Sequence, residues 1–182
     1  VWVWTNVTTK EYKGLNPGRR IYLQNVNYNY SSKAFSEEIE SKSRVIRIWG
    51  TPINYKKESG AYEIQGVSAD YQKIENVKMI MGRFIDQTDM DGLNKVVIIS
   101  NKIKKELMKE VENPLNEYVK LGDINFKIVG VYTDAGGERE ENRVYVPTNT
   151  AQHVFNRPNR VSNLAFTLAP QDNFENTVKE ST

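Results

Sequence analysis

A run of aspartates before a glycine is the segment of this sequence that comes closest to a metal site. It consists of Asp86, Asp89, Asp91 and Gly92. In a calcium-binding loop, oxygen ligands occupy positions 1, 3, 5 and 12, and a glycine occupies position 6. With Gly92 at position 6, position 1 is Gln87 and position 12 is Ile98, so two charged ligands are missing. The spacing therefore predicts a solvated turn and not a calcium site.

Few residues of the sequence could support other catalytic or cofactor-binding chemistry. The sequence contains no Cys and a single His, which excludes thiolate metal sites, cysteine nucleophiles and disulfides. His153 stands beside Val154 and Phe155, with no acid or Ser nearby in a recognisable catalytic spacing. The glycine-rich strings that cradle phosphates in nucleotide-binding proteins are also missing. We therefore predict no catalytic residue, no metal site and no cofactor.

One charged loop is the candidate binding site. Glu138, Arg139, Glu140 and Glu141 follow the pair Gly136-Gly137, whose backbone is conformationally free. Contact residues often lie on loops that a rigid scaffold presents. We interpret these four residues as a partner-binding surface, with a merely solvated loop tip as the alternative.

Composition describes an ordinary folded domain. The 182 residues are 38% hydrophobic and 26% charged, and 25 Lys and Arg nearly cancel 23 Asp and Glu. A nucleic-acid binder usually concentrates basic residues on one face, so nucleic acid is disfavoured as a partner. No apolar run approaches the roughly 20 residues that a membrane span needs.

The elements that must position the loop are mostly strands. Alternating or continuous apolar residues predict strands at residues 20–23, 45–49, 62–67, 96–99, 118–121, 124–131, 143–147 and 164–168. Pro147 marks the strand at 143–147 as an edge strand, residues 54–60 are predicted as a hairpin loop, and Gly122-Asp123 is predicted as a two-residue hairpin turn.

Helices are predicted from cap residues and apolar spacing. Ser32 is expected to cap a helix that carries Phe35 and Ile39, and Ser100 a helix that reaches Val111. A short helix is expected at residues 150–155, and another begins after Asp172.

The two ends of the chain repeat one order of elements, a strand followed by a helix. This predicts a split β-α-β subdomain formed by residues 1–65 and 161–182, with residues 66–160 inserted as a mixed α/β subdomain. Trp2 and Trp4 at the start fit either a short alternating strand or the stub of a transmembrane helix, where Trp is common.

From Gly66 onward, an ordered series of short strings resembles the extracytoplasmic core domain of MacB- and FtsX-like ABC transporter permeases. The series covers roughly residues 60 to 156, and its strings are weak singly but fairly specific together. It comprises Gly66-Val67-Ser68-Ala69-Asp70-Tyr71, Met81-Gly82-Arg83-Phe84-Ile85 with the acidic segment 86–91, Val96-Val97-Ile98-Ile99-Ser100, Asn113-Pro114-Leu115, Phe126-Lys127-Ile128-Val129-Gly130-Val131, and Val144-Tyr145-Val146-Pro147-Thr148.

The resemblance implies an α+β fold in which a split β-α-β (Porter-like) subdomain holds an inserted, mostly β (Sabre-like) subdomain. It favours the membrane-stub interpretation of Trp2 and Trp4, and it places the domain on the periplasmic side of an inner-membrane protein. It also implies that the domain is not itself an enzyme and transmits ATP-driven motion to an exported substrate or partner protein.

The same resemblance implies a set of partners. They are a cytoplasmic ATPase reached through the full-length permease, a second permease copy, and a periplasmic adaptor or outer-membrane protein. Because such permeases pair largely through their membrane helices, we expect the isolated domain to be a monomer.

Two rival functions stay open on the residues alone. A cell-surface or periplasmic module that binds glycan or peptide would need a deep aromatic-lined pocket. A hydrolase would need a convergent set of titratable residues.

Overall fold

Strands dominate the fold, as the alternating apolar pattern predicts. The computed structural model describes residues 1–11, 13–134 and 141–169. Its strands are β1 (Trp2–Trp4), β2 (Leu23–Gln24), β3 (Ile39–Ile48), β4 (Pro52–Tyr55), β5 (Glu58–Ala61), β6 (Glu63–Val67), β7 (Lys78–Gly82), β8 (Val96–Ser100), β9 (Tyr118–Leu121), β10 (Ile124–Thr133), β11 (Arg143–Pro147), β12 (Arg160–Val161) and β13 (Asn163–Leu168). The helices are α1 (Asn25–Ala34), α2 (Tyr71–Ile74), α3 (Gln87–Asp91), α4 (Asn101–Leu107) and α5 (Thr148–Val154).

One mixed sheet runs through the described part of the chain. Its strand order is β1-β13-β3-β6-β11-β8-β10-β9-β4-β5, with β7 also paired to β10, while β12 and β2 pair separately. The α+β fold class is thereby confirmed. Parallel pairs occur between β11 and β6 and between β10 and β8.

The predicted edge strand at residues 143–147 is wrong, because β11 lies inside the sheet. It pairs with β6 on one side and β8 on the other, and all five of its residues are buried. Pro147 fits there because it is the last residue of the strand, where its missing N–H costs little.

The two ends of the described chain meet at one edge of the sheet. Strand β13 lies between β1 and β3 and is antiparallel to both, so that Ala165 faces Trp2 on one side and Ser43 on the other. Trp2 and Trp4 therefore belong to a strand, the first of the two alternatives. The division into a subdomain of residues 1–65 and 161–182 and an inserted subdomain of residues 66–160 stays a prediction. The β4–β5 hairpin pairs with β9 through Ile53 and Leu121.

Helix α4 begins where its sequence predicts. The hydroxyl of Ser100 accepts a hydrogen bond from the Ile103 N–H at 3.0 Å, and Ile103 and Leu107 are buried. The helix ends at Leu107 instead of reaching Val111, although Val111 still packs against the core. The Gly122 turn is also confirmed, with φ of +61° between β9 and β10.

The helix predicted from Ser32 is wrong. Ser32 lies near the end of α1, and Ile39 begins β3. The Asn-, Tyr- and Ser-rich sequence of α1 has low helix propensity, so tertiary packing must stabilise the helix. Tyr28 supplies that packing, since its ring stacks on Phe166 at 6.5 Å between ring centroids.

The solvated turn predicted at Asp86 to Gly92 is also wrong. Asp86 caps α3 by accepting a hydrogen bond from the Asp89 N–H at 2.9 Å. Asp89 is only 1% exposed, and its carboxylate binds both terminal nitrogens of Arg83 at 2.6 and 3.2 Å. Burial alone would raise the pKa of Asp89, but hydrogen bonds from Arg83 and Asn94 outweigh it and hold that pKa below its ordinary value. The segment is a packed structural unit.

Candidate partner-binding site

The predicted binding loop is described only at its base. Glu138, Arg139 and Glu140 lie outside the described residues, whereas Glu141 is described and half-buried. Its carboxylate accepts hydrogen bonds from the Thr133 hydroxyl at 2.9 Å and from the Asp134 N–H at 3.4 Å. Glu141 thus ties the end of β10 to the start of β11. Its role in partner binding stays a prediction.

Two further contacts fix the loop base. The Ser100 hydroxyl, which caps α4, also donates a hydrogen bond to the Glu141 carbonyl at 2.6 Å. The Asn142 carbonyl accepts a hydrogen bond from the Glu63 N–H at 3.0 Å. Strands β6, β8, β10 and β11 thus all contribute to one rigid platform.

A buried polar cluster lies beside this platform. The Glu63 carboxylate is 3.6 Å from the Arg47 guanidinium and 3.9 Å from the Arg143 guanidinium. It also accepts a hydrogen bond from the Gln65 amide at 3.0 Å, and the Gln65 oxygen accepts one from the Tyr71 hydroxyl at 3.2 Å. The hydrogen bonds and ion pairs offset part of the cost of burying these groups. The Nε atoms of Arg47 and Arg143 have no hydrogen-bond partner within the described ranges.

Three tyrosines pack around that cluster. The ring of Tyr145 lies 4.9 Å from that of Tyr132 and 5.5 Å from that of Tyr71, and the Tyr132 hydroxyl donates to the Arg143 carbonyl at 2.8 Å. Burial raises the pKa of Tyr145 to about 12 and raises the pKa values of Tyr71 and Tyr132 as well. All three are held in their neutral form.

We expect the domain to lose stability as pH rises from 9 to 12. An unfolded tyrosine ionises near pH 10, whereas folded Tyr145 keeps its proton to about pH 12. In that interval the folded state binds more protons, so the free energy of unfolding falls with pH, by about 2 kcal/mol from Tyr145 alone. Urea unfolding of the wild type and of Tyr145→Phe at several pH values measures this.

Between pH 9 and pH 12, the free energy of unfolding should fall less for Tyr145→Phe than for the wild type. Tyr30→Phe is the matched control, because Tyr30 is 72% exposed; it should follow the wild-type curve. Parallel pH curves for wild type and Tyr145→Phe would contradict the assignment.

A groove adjoins the loop base. Its volume is about 410 Å³, and Asn142 and Glu63 line it together with Trp49, Tyr62 and Pro52. Trp49 lies one residue beyond β3 and is 65% exposed. A large aromatic side chain that is open to solvent beside a rigid polar rim is typical of a protein contact site. We call this surface the loop-base groove.

Sequence reasoning did not identify Trp49 as a site residue. It assigned Trp49 to the alternating strand at 45–49, where the residue fits as an ordinary member. The available signal was the following Gly50-Thr51-Pro52, which marks the end of the strand, where Trp49 is exposed.

Among the described residues that line the loop-base groove, Glu63 is the one carboxylate and there is no His. In the described ranges, no group of three or more acidic or His side chains could hold a metal ion. His153 is exposed on α5, away from the platform residues. None of the helices within the described ranges is long and apolar enough to cross a membrane.

Comparison with solved structures shows which proteins share this fold. The periplasmic region of MacB from Actinobacillus actinomycetemcomitans superposes with a TM-score of 0.80 at 22% identity, covering 97% of this chain and 79% of the other. The extracellular domain of the ABC-type transporter YknZ from Gram-positive bacteria gives a TM-score of 0.80 at 18% identity, covering 100% of this chain and 90% of the other.

Sequence comparison points in the same direction. The macrolide export ATP-binding/permease protein MacB of Bdellovibrio bacteriovorus is 27% identical over 104 residues, which are 56% of this chain and 16% of that protein. The pyoverdine export ATP-binding/permease protein PvdT of Pseudomonas fluorescens is 25% identical over 92 residues, 48% of this chain and 14% of that protein. The chain thus spans about a sixth of the length of these relatives.

The profile of one protein family covers nearly the whole chain. It is described as the MacB-like periplasmic core domain, and it matches residues 5–182. The resemblance seen in the strings between Gly66 and Thr148 is therefore confirmed, and the chain belongs to the family of MacB-like periplasmic core domains, the extracytoplasmic part of ABC transporters of this kind.

Proposed function

We propose that this domain transmits ATP-driven motion of a transporter to an exported substrate or partner protein outside the membrane. The observation that carries the proposal is the family match over residues 5–182. Relatives that share part of this chain are named as export ATP-binding/permease proteins. In this proposal the domain has no catalytic activity of its own, and the ATPase lies elsewhere in the transporter.

The sheet offers a physical route for such motion. Strand β11 begins at the loop base and pairs with β6, β6 pairs with β3, and β3 pairs with β13. Hydrogen-bonded strands resist sliding past one another, because a shift of register breaks every bond in the ladder. A displacement applied at the edge formed by β1 and β13 would therefore move the loop base with it.

The partners in this proposal are those of a permease in the cytoplasmic membrane. They are a cytoplasmic ATPase, a second permease copy, and a periplasmic adaptor or outer-membrane protein. The last of these would contact the loop-base groove and the charged residues Glu138, Arg139, Glu140 and Glu141, of which Glu141 also holds the platform together. The isolated domain is expected to be a monomer.

Trp49→Ala in the full transporter tests the contact site. We expect export to fall several-fold, because an aromatic anchor at the centre of an interface commonly contributes about 2 kcal/mol or more to binding. The melting temperature of the isolated domain should hardly change, since Trp49 is 65% exposed. Glu138→Ser, Arg139→Ser and Glu140→Ser, made together, should act in the same direction while Glu141 is kept.

Tyr30→Ala is the control, because Tyr30 is exposed on α1 and does not line the loop-base groove. Export by this variant should match the wild type. Unchanged export by both the Trp49 variant and the triple variant would show that the loop-base groove and the charged loop are not a contact site for a partner. A large loss of melting temperature in the Trp49 variant would instead assign Trp49 to the folded core.

A further inference from the structure

Three arginines line a second concavity, which the proposed function does not use. Its volume is about 250 Å³, and Arg47, Arg157 and Arg160 line it together with Thr5, Tyr22 and Ser162. The two remaining lining residues are apolar, so no carboxylate faces this space from its described lining. We call it the arginine pocket. With a formal charge of only +2 on the whole chain, three arginines around one concavity are a local concentration of positive charge.

Within the described ranges, carboxylates neutralise the charge of the arginine pocket only in part. Glu63 is the carboxylate near Arg47, at 3.6 Å, and it is shared with Arg143 at 3.9 Å. The buried Nε atom of Arg47 has no hydrogen-bond partner within the described ranges. Within those ranges Arg157 and Arg160 form no ion pair closer than 4 Å. Arg47 and Arg143 therefore share the carboxylate of Glu63, whereas Arg157 and Arg160 have no carboxylate within 4 Å in the described ranges.

The backbone around the pocket is held in place by hydrogen bonds. The Arg157 N–H donates to the Gln152 carbonyl at 3.0 Å, and the Gln152 amide donates to the Arg160 carbonyl at 3.0 Å. The guanidinium of Arg160 lies over the Tyr22 ring, 5.2 Å from its centroid. Such contacts reduce the conformational freedom that arginine would lose on binding a ligand.

Ser162 adds a neutral donor. Its oxygen accepts a hydrogen bond from the Arg47 N–H at 2.9 Å, so its own hydrogen can be donated to another group. The arginine pocket thus combines three arginines with three hydroxyl-bearing residues, Thr5, Tyr22 and Ser162.

We propose that the arginine pocket binds a phosphate group. Guanidinium forks match the oxygens of a phosphate in geometry and charge, and such charge-assisted hydrogen bonds are about twice as strong as neutral ones. A phosphate dianion has enough oxygens for all three arginines at once, whereas a carboxylate has two. The phosphate is either free in solution or the phosphomonoester of a lipid headgroup, because a phosphodiester has only two non-bridging oxygens, as a carboxylate does.

Calorimetry with inorganic phosphate at low salt is the first test. The wild-type domain should bind phosphate, and Arg157→Gln with Arg160→Gln should weaken that binding at least tenfold. The matched control is Lys105→Gln with Lys120→Gln, which removes the same charge from exposed positions outside the pocket and should bind as the wild type does. Circular dichroism establishes that each variant is folded.

Vesicle sedimentation distinguishes the two sources of phosphate. One vesicle contains phosphatidylcholine alone, whose phosphate is a diester, and the other also contains phosphatidic acid, whose phosphate is a monoester. Binding to the second vesicle that the Arg157/Arg160 variant loses and the control keeps assigns the phosphate to a lipid headgroup. Calorimetric binding with no vesicle binding assigns it to free phosphate.

The proposal is overturned if the wild type binds neither inorganic phosphate nor the anionic vesicle. It is also overturned if the arginine variant and the lysine control lose binding equally, because net charge and not the pocket would then explain the attraction.

Discussion

Arg83→Ala is expected to lower the free energy of unfolding by about 2–4 kcal/mol. The variant leaves the carboxylate of Asp89 buried without its cation, and breaking a fully buried ion pair in this way costs about 3–5 kcal/mol. The expected loss is shifted toward the lower end of that range because the Arg83 side chain is 48% exposed and water can partly replace it. Urea unfolding at neutral pH measures the change.

A second variant separates the lost pair from lost packing. Asp89→Asn removes the buried charge, so adding Arg83→Ala to it should cost less than Arg83→Ala costs alone. Arg20→Ala is the control, because Arg20 is exposed, and it should change stability by no more than about 0.5 kcal/mol. Strict additivity of the Arg83 and Asp89 changes would show that the pair is not coupled.

Gly82→Ala is expected to destabilise the domain by about 2–5 kcal/mol. Gly82 has φ of +66°, which costs an L-residue about 1–2 kcal/mol. A Cβ atom there would also clash with the Val129 carbonyl oxygen at 2.2 Å, and overpacking of this kind typically costs about 1–3 kcal/mol more. The denaturation midpoint of the variant gives the total.

Gly50→Ala isolates the conformational part of that cost. Gly50 has φ of +76°, and no atom lies within 4 Å of where its Cβ would stand. It should therefore lose only about 1–2 kcal/mol. If Gly82→Ala and Gly50→Ala lowered the stability equally, the clash between a Cβ at Gly82 and the Val129 carbonyl would add no destabilisation.

The contacts of Gly82 and Arg83 explain why these residues belong to the strings that carry the family resemblance. Gly82 lets β7 approach β10, and Arg83 neutralises Asp89 below the cap of α3. In the first string, a Cβ on Gly66 would lie 2.7 Å from the Cβ of Ala151 on α5, and Tyr71 packs into the tyrosine cluster. The strings therefore specify close packing, and this is why they pointed to a fold without pointing to a reaction.

The candidate site could be predicted only in part. The charged residues of the loop stand out in the sequence, and Glu138, Arg139 and Glu140 stay a prediction. Nothing in the sequence showed that Glu141 would bond to Thr133, because that contact depends on the end of β10 and the start of β11 lying close together across β8 in the sheet. Trp49 was missed for a similar reason, since exposure depends on what packs against a residue.

The sequence by itself determined the elements whose signals are local. Ser100 before an apolar helix, the glycine turn at Gly122 and the buried run at 96–99 all formed as predicted, because a cap, a positive φ or a short apolar stretch needs only neighbouring residues. Only the tertiary structure decided the position of β11 inside the sheet, the helix formed by the polar sequence of α1, and the meeting of Arg47, Arg157 and Arg160. In each of these cases the stabilising partner lies far away along the chain, so no local pattern could record it.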